Sequence, residues 1–582
     1  MLLGLNLSHD SSAALLDKDG TVLYAVSEER ISRIKNHIGI PVKSIKSLLS
    51  LNPKIDQVVV GTWEHISHGD LKRLFVNLAR NPSNKEGHWN QPYPAYRGTS
   101  ALSNKSSTNA FFEEYLRELF REFNLGSHDF KFMNHHLAHL GCALGMSSNK
   151  KSLLVSLDGE GDGDSGAVAT WDGKSINVLS RISALDSLGN LYSAVTDRYN
   201  FKPGTHEGKI TGLAAYGSNS RAVETLIRHT QVINGVPKIV LVNSLKDKIK
   251  RKSRKLLGIN GPEASSIEEL ISLSESQTLK YADLAYAIQE VLEKSVLEVI
   301  SYWARHTGIN NLAVAGGVFA NVKLNQRISE MTEFQNFRVF PNMGDGGLSI
   351  GGVWAHLSQN NVPIQTNLLS SIYLAPTTEI EDSSILDDLR TRSDFLIENF
   401  SSEICATKCA QDIADGLVVA LHMGRMEFGP RALGNRSILV DPRLKGVVDK
   451  LNRRLGRTEF MPFAPVVLHE MSDQYFILPR DTTSMEHMTI TCFVKDKYVD
   501  SLPAITHVDK TARPQIVNKE LNTRLYTILS EFKKITDLGI LVNTSLNRHE
   551  EPINYKLSDS INALDKDSFD VLYFNDYRIK KI

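Results

Sequence analysis

Two stretches far apart in the chain share one plan, and any fold must accommodate both. Leu2–Leu7 and Ala13–Leu16 read as strands about the tight turn Ser8-His-Asp-Ser-Ser12, and Thr21–Val26 returns as a third after the hairpin signal Asp19-Gly20. Ser152–Asp158 again reads as a buried strand and runs into the acidic, glycine-rich loop Asp158–Gly166. It returns through Ala167–Trp171 and an Asp172-Gly173 turn to another strand. The repeat predicts a duplicated fold with two facing lobes. At 582 residues the chain exceeds one hydrophobic core. A polar, Asn-rich stretch over His356–Pro363 puts the domain boundary near 360–372. The expected fold class is α/β and α+β, with domains over 1–360 and 372–582.

A second feature constrains the chemistry. The apolar run Gly416–Leu421 predicts a buried strand leading into His422–Pro442, HMGRMEFGPRALGNRSILVDP. Glycines 424, 429 and 434, with Pro430, break regular structure and let the backbone approach a ligand. Arg425, Arg431 and Arg436 stand between them, and Arg443, Arg453, Arg454 and Arg457 follow. A guanidinium fork takes phosphate or carboxylate oxygens two at a time. Arginines interleaved with glycines after a strand are not a solvated helix face, so the stretch predicts a polyanion site, above all for a nucleotide triphosphate. The strand Leu538–Val542 ends in Asn543-Thr-Ser, whose amide and hydroxyls suit phosphate or a small planar group. Between strand Asn311–Val314 and a following helix, Ala315-Gly-Gly-Val-Phe-Ala-Asn321 lets backbone lie against adenine or ribose. The segment Gly204–Gly208 is no P-loop, because Ile210 stands where Ser or Thr must bind magnesium. Lys209 remains a candidate phosphate contact by another geometry.

His135 and His139 are four residues apart, so a helix puts both imidazoles on one face, as one shared metal needs. The Glu of the zincin motif is missing, and a purely structural histidine pair is the alternative. Asp345, on the glycine-rich loop Phe340–Gly347, is a carboxylate free to be a third ligand. Asp158, at a strand end, is the acid of its loop best placed to face a ligand. That loop lacks EF-hand spacing. Residues 81–109, rich in Pro, Asn, Ser and Gly but carrying Trp89, Tyr93 and Tyr96, are read as a lid. Residues 246–255 are strongly basic without interleaved aromatics, and are read as a solvated insertion.

Composition excludes other classes. Lys+Arg and Asp+Glu both number 66, so no global field draws the chain to nucleic acid or an anionic membrane. Met1–Leu7 is too short for a signal peptide, and no apolar run approaches the roughly 18 residues of a membrane span. Four cysteines make no disulfide framework. Cys405 and Cys409, one turn apart, are read as helix packing, and the compartment as reducing and cytoplasmic.

Taken in order, GLNLSHDSSAALL, HHLAH, LDGEGD, FKPGTHEGKITGLAAYG, AGGVFANVKLN, GRMEFGPRALGNRSILVDPR, HVDKTARPQ and LVNTSLN carry a resemblance over nearly the whole chain. It resembles the O-carbamoyltransferases of nodulation-factor and antibiotic biosynthesis, the nodulation protein U, cephalosporin and tobramycin carbamoylase type. The resemblance implies an N-terminal duplicated actin-like (ASKHA) domain, similar to threonylcarbamoyl-transferring enzymes, and a C-terminal YrdC-like domain. The C-terminal domain would make carbamoyladenylate from carbamoyl phosphate and ATP with Mg2+. The N-terminal domain would pass the carbamoyl group to a hydroxyl of a small sugar or natural-product acceptor. By motif, His135, His139 and Asp345 would hold a divalent metal, Fe2+ in the family. His9 would act near the acceptor hydroxyl, and Asp158 would orient the carbamoyl group. Lys209, Gly316, Gly317 and Asn321 would face the adenylate. Arg425, Arg431, Arg436, Arg457, His507, Arg513, Asn543, Thr544 and Ser545 would bind carbamoyl phosphate and ATP. Relatives have Arg-Pro-Phe-Ala-Pro where this chain has Met461-Pro-Phe-Ala-Pro. The expected partners are carbamoyl phosphate and the acceptor, with no nucleic acid and no membrane, and a homodimer is left open. The competing readings are a fused tRNA threonylcarbamoyl-modifying system, disfavoured by neutral charge, and a nucleotide-switched binding module, which leaves the arginine stretch without a role.

Overall fold

The computed structural model describes residues 1–62, 113–114, 116–147, 151–241, 264–364, 369–457 and 461–582. The stretches 81–109 and 246–255 therefore lie outside the described residues.

Near-continuous apolar runs make the first sheet, as strands buried on both faces require. Strands β1 (Leu2–Asn6) and β2 (Ser12–Leu16) are buried throughout and are joined by β3 (Val22–Ser27), β4 (Gln57–Val60) and β5 (Asp129–Phe132). The order is β3-β2-β1-β4-β5, with the first three antiparallel and the last two parallel to β1. After helix α1 (His135–Leu144) come β6 (Ser152–Gly161), β7 (Asp164–Trp171) and β8 (Ile176–Ser183). Helices α2 (Glu207–Ala214) and α3 (Asp283–Thr307) follow. Then come β9 (Asn311–Ala315), α4 (Val322–Ser329), β10 (Asn336–Val339) and α5 (Leu348–Gln359). The second sheet runs β10-β9-β6-β7-β8, again with an antiparallel meander on one side and two parallel strands on the other. The two sheets thus repeat one topology, and the molecule is mixed α/β.

Besides a two-stranded and a three-stranded sheet, the described residues form one eight-stranded sheet in the C-terminal part. In spatial order they are Phe395–Asn399, Tyr577–Lys581, Val571–Phe574, Val419–His422, Arg436–Val440, Ile540–Ser545, Ala464–Leu468 and Gln515–Val517. This part shares a core with the second lobe, where Leu153, Val314, Val419 and Leu572 belong to one buried cluster. Phe428 and Leu433 of the arginine stretch pack with Phe340 and Trp354 in another. Among the described residues no helix is long and apolar enough to cross a membrane. Cys405 and Cys409 are buried on the helix Ser402–Ala414.

Candidate active site: an imidazole–carboxylate cluster and an arginine-lined cavity

The first centre forms where both sheets end. Asn134 caps α1 by accepting from the Leu137 amide at 3.1 Å, which fixes the register that puts His135 and His139 on one face. Helix α5 crosses α1 at near contact, since a Cβ on Gly141 would sit 2.0 Å from the Gly351 carbonyl. The short turn Asp345–Gly347 leads into α5 and brings Asp345 beside the histidines. Asp158 arrives on β6. One donor atom from each of His135, His139, Asp158 and Asp345 falls within 4.8 Å of the others.

Inside this group His139 Nε2 lies 2.9 Å from Asp158 Oδ2 and 3.4 Å from Asp345 Oδ1. His135 Nε2 lies 3.6 Å from Asp345 Oδ1, and both atoms are buried without a hydrogen-bond partner. Burial works against a charged His139, but the Asp158 hydrogen bond and the nearby Asp345 carboxylate prevail and raise it to about 9. Asp345, despite burial, is held down to about 2 by His9 and His135. Two imidazoles, two carboxylates and two orphaned inward-facing atoms suit a divalent cation, and a His–His–carboxylate set suits Fe2+.

His9 stands at the rim, 56% exposed, with Nε2 3.1 Å from Asp345 Oδ2 and Nδ1 3.3 Å from Asp10. The Asp345 carboxylate raises it to about 10. Two features of this centre were missed in the sequence. Ser8 Oγ donates to Asp345 Oδ2 at 2.7 Å. The acidic loop folds over His135, with Asp162 accepting from its amide at 2.7 Å. A Cβ on Gly161 would meet the His135 ring at 2.2 Å. Only the three-dimensional crossing of β6 and α1 reveals these roles.

Gly316 and Gly317 follow β9 with Gly316 at φ 105°. A Cβ would strike the Leu157 carbonyl at 2.1 Å from Gly316 and Asp158 Oδ1 at 2.7 Å from Gly317. These glycines therefore make room for the end of β6. Asn321 departs from its expected place facing the adenylate. Its Oδ1 caps α4 through the Leu324 amide at 3.0 Å, and its Nδ2 donates to Gln289 at 2.8 Å. The Lys209 ammonium lies 5.5 Å from the Phe201 ring centroid.

The second centre is a cavity of about 530 Å³ where the duplicated lobes meet the C-terminal sheet. Helices α2, α3 and α4 wall one side, while Arg431, Phe463, His507 and Arg513 close the other. Met461 also lines it, with its sulfur where a Cβ of Gly212 would lie. Among the described residues neither Arg431 nor Arg513 has a hydrogen-bond or ion-pair partner. Burial depresses both guanidinium pKa values, and Arg431 adds repulsion at Arg513. Glu290, Glu293 and Asp509 line the same cavity, but neither arginine pairs with them, and two neighbouring unpaired cations call for an anion.

The arginine stretch is only partly such a site. Arg436 donates to the carbonyls of Met423 (2.6 Å), Asn435 (2.9 Å), Gly424 (3.3 Å) and Tyr555 (3.4 Å). Arg425 donates to Leu23 (2.7 Å), Leu374 (2.6 Å) and Ala375 (3.1 Å), with its guanidinium 4.4 Å from the centre of Tyr24. Arg425 and Arg436 thus give most of their donors to backbone carbonyls, with Arg436 Nε buried and without a partner, and neither lines the cavity. Glu427, which stands among these arginines, shapes the loop, its Oε1 accepting from the Leu433, Asn435 and Arg436 amides at 2.7–3.2 Å. Arg457 meets Thr544 Oγ1 at 2.8 Å and Ser545 Oγ at 3.0 Å, so three of the expected residues do converge. Asn543 Nδ2 donates to Gln515 at 2.8 Å, leaving its buried Oδ1 without a partner.

Fold and sites define a mixed α/β protein with a metal-type cluster in a duplicated half and an anion cavity against a second half. The Carbamoyltransferase N-terminus family model matches residues 1–354, and the Carbamoyltransferase C-terminus model residues 410–581. The chain belongs to the carbamoyltransferase family and is a carbamoyltransferase. It is 31% identical to nodulation protein NolNO of Sinorhizobium fredii over 98% of this chain and 79% of that protein. It is 30% identical to an uncharacterized protein of Methanocaldococcus jannaschii over the whole of both chains. Among solved structures, HypF of T. kodakarensis aligns with 63% of this chain and 48% of its own at 14% identity and TM-score 0.30. That likeness is too weak to bear on the fold.

Proposed function

We propose that the chain is an ATP-dependent O-carbamoyltransferase with its two partial reactions in separate halves. Residues 372–582, read as a YrdC-like domain, bind carbamoyl phosphate and ATP and make carbamoyladenylate. Residues 1–360, read as an actin-like domain, pass the carbamoyl group to a hydroxyl of a small sugar or natural-product acceptor. The observation that carries this reading is the unpartnered pair Arg431 and Arg513 lining a cavity between the halves. A site that handles a mixed anhydride gains by keeping it from water.

In the first half-reaction Arg431 and Arg513 neutralise phosphate charge, and Arg457 with Thr544 and Ser545 offers further donors. In the second, His9 stands at the exposed rim near the acceptor hydroxyl, while Asp158 orients the carbamoyl group. His135, His139 and Asp345 would hold a divalent metal, iron on the family's pattern, with Asp158 as a neighbouring donor. Such a metal, when bound, supplies Lewis-acid polarisation of the carbamoyl carbonyl.

The test separates the halves. Arg431→Ala should lose carbamoyl phosphate-dependent pyrophosphate release from ATP. His135→Ala should keep that release and lose transfer to the acceptor, read as mass gain in metabolite extracts. Undiminished pyrophosphate release by Arg431→Ala would refute the cavity assignment. Labelled threonine entering tRNA would favour the modifying-system reading instead.

A further inference from the structure

Among the residues expected to bind carbamoyl phosphate and ATP, His507 alone forms a dyad with a carboxylate, Asp509. His507 lines the cavity, and its Nε2 is buried with no hydrogen-bond partner. Its Nδ1 lies 3.3 Å from Asp509 Oδ1. That carboxylate is itself fixed on both oxygens. Oδ1 also accepts from Thr511 Oγ1 at 2.6 Å and the Thr511 amide at 3.1 Å. Oδ2 accepts from Lys323 Nζ on α4 at 3.0 Å, across the junction of the two halves. A carboxylate held this way cannot donate, so the proton between the two residues sits on Nδ1. The Nε2 lone pair is then bare, on a residue that lines the anion cavity. The Tyr216 ring packs edge-on at 5.7 Å and restrains the imidazole. A neutral imidazole fixed in one tautomer by an anchored acid is the arrangement of a general base.

The proposed chemistry needs such a base. Carbamoyl phosphate and ATP cannot yield carbamoyladenylate, phosphate and pyrophosphate without one water. The oxygen balance closes when water attacks the phosphorus of carbamoyl phosphate and the bond to the bridging oxygen breaks. Phosphate and carbamate form, and one water proton must leave. The carbamate oxygen then attacks the α-phosphorus of ATP and pyrophosphate departs, a displacement that releases no proton. We infer that His507 Nε2 is the proton acceptor for this water, with Asp509 as the residue that positions it and Lys323 as the cross-lobe anchor of Asp509. The inference rests on the reading of the cavity given above and deepens it.

The test uses the whole chain and two assays. The first is phosphate release from carbamoyl phosphate. The second is ATP–pyrophosphate exchange driven by ammonium carbamate, which enters after the water step. His507→Gln should slow phosphate release by about 10²–10⁴-fold, the range for a lost general base. It should also flatten the acid side of the pH–rate profile, where the wild-type base becomes protonated. Carbamate-driven exchange should persist in that variant, at an unchanged melting temperature. Asp509→Asn should lower phosphate release in the same sense by a smaller factor, again sparing the exchange. Equal loss of both assays in His507→Gln would make the residue a binding group and overturn the inference. An unaltered pH profile would overturn it too. Failure of the underlying reading looks different, because wild-type protein would then show neither carbamoyl phosphate-dependent phosphate release nor carbamate-driven exchange.

Discussion

The imidazole–carboxylate cluster and the arginine stretch are both dense in functional-looking residues, but they use them in opposite ways. In the cluster every charged group meets another across a few ångströms, and His135, His139, Asp158 and Asp345 converge from three separate segments. In the stretch His422–Pro442 the three arginines diverge. Arg425 and Arg436 turn to backbone carbonyls, and only Arg431 reaches the cavity. Metal-type sites need short-range convergence, so spacing on one helix already specifies part of them. An anion site needs cations left unsatisfied, and in an irregular loop most cations are consumed in holding the loop together.

Arg431 against Arg436 is the sharpest way to break this contrast. Arg431→Met should cut carbamoyl phosphate-dependent pyrophosphate release by about 10²–10³-fold, as for a lost preorganised charge-stabilising donor. Its denaturation midpoint should hold or rise, because an unpaired, partly desolvated charge is removed. Arg436→Met should do the reverse, losing about 3 kcal/mol of stability in denaturant titration as buried carbonyls lose their donor. If the soluble fraction of that variant is inactive at every carbamoyl phosphate concentration, Arg436 does more than hold the loop.

Within the first centre, Gly161→Ala probes how far convergence depends on clearance. The added methyl would displace the His135 ring it would otherwise meet at 2.2 Å. Affinity for Fe2+ or Zn2+, measured by competition with a chelator, should fall by about 10–100-fold, as for other supports of metal ligands. Pyrophosphate release in the C-terminal half should not change. Unaltered metal affinity would show that the acidic loop yields freely and does not clamp His135.

These contrasts also mark what the sequence could convey. The strands Leu2–Asn6, Ser12–Leu16 and Ser152–Gly161 were legible because hydrophobic runs and glycine turns are local signals. The histidine pair was legible because four residues make one helical turn. The fates of Arg425 and Arg436 were not, since a guanidinium has the same sequence signature whether it meets a phosphate or a carbonyl. Arg425 finds its Leu23 partner 402 residues away. Lys323 finds Asp509 186 residues away, so the dyad's anchor was equally invisible. His507 and Asp509 themselves stand two apart, and that spacing was the available signal. Asn321 looked like a ligand residue beside two glycines because the same position also begins a helix.

Asn321 gives the smallest effect and a clean separation between those two roles. If its side chain serves as the α4 cap and the partner of Gln289, Asn321→Ala should cost about 1 kcal/mol in denaturant titration. Asn321→Ser, which can still accept from the Leu324 amide, should recover most of that loss. KM for ATP should remain unchanged in both variants, since the amide is already occupied at 2.8 Å and 3.0 Å by partners within the fold. A severalfold rise in KM for ATP in Asn321→Ala and not in Asn321→Ser would mean that the hydroxyl replaces a ligand contact. In that case the duplicated half would hold its nucleotide through this helix start, and its division of labour with the arginine-lined cavity would have to be redrawn.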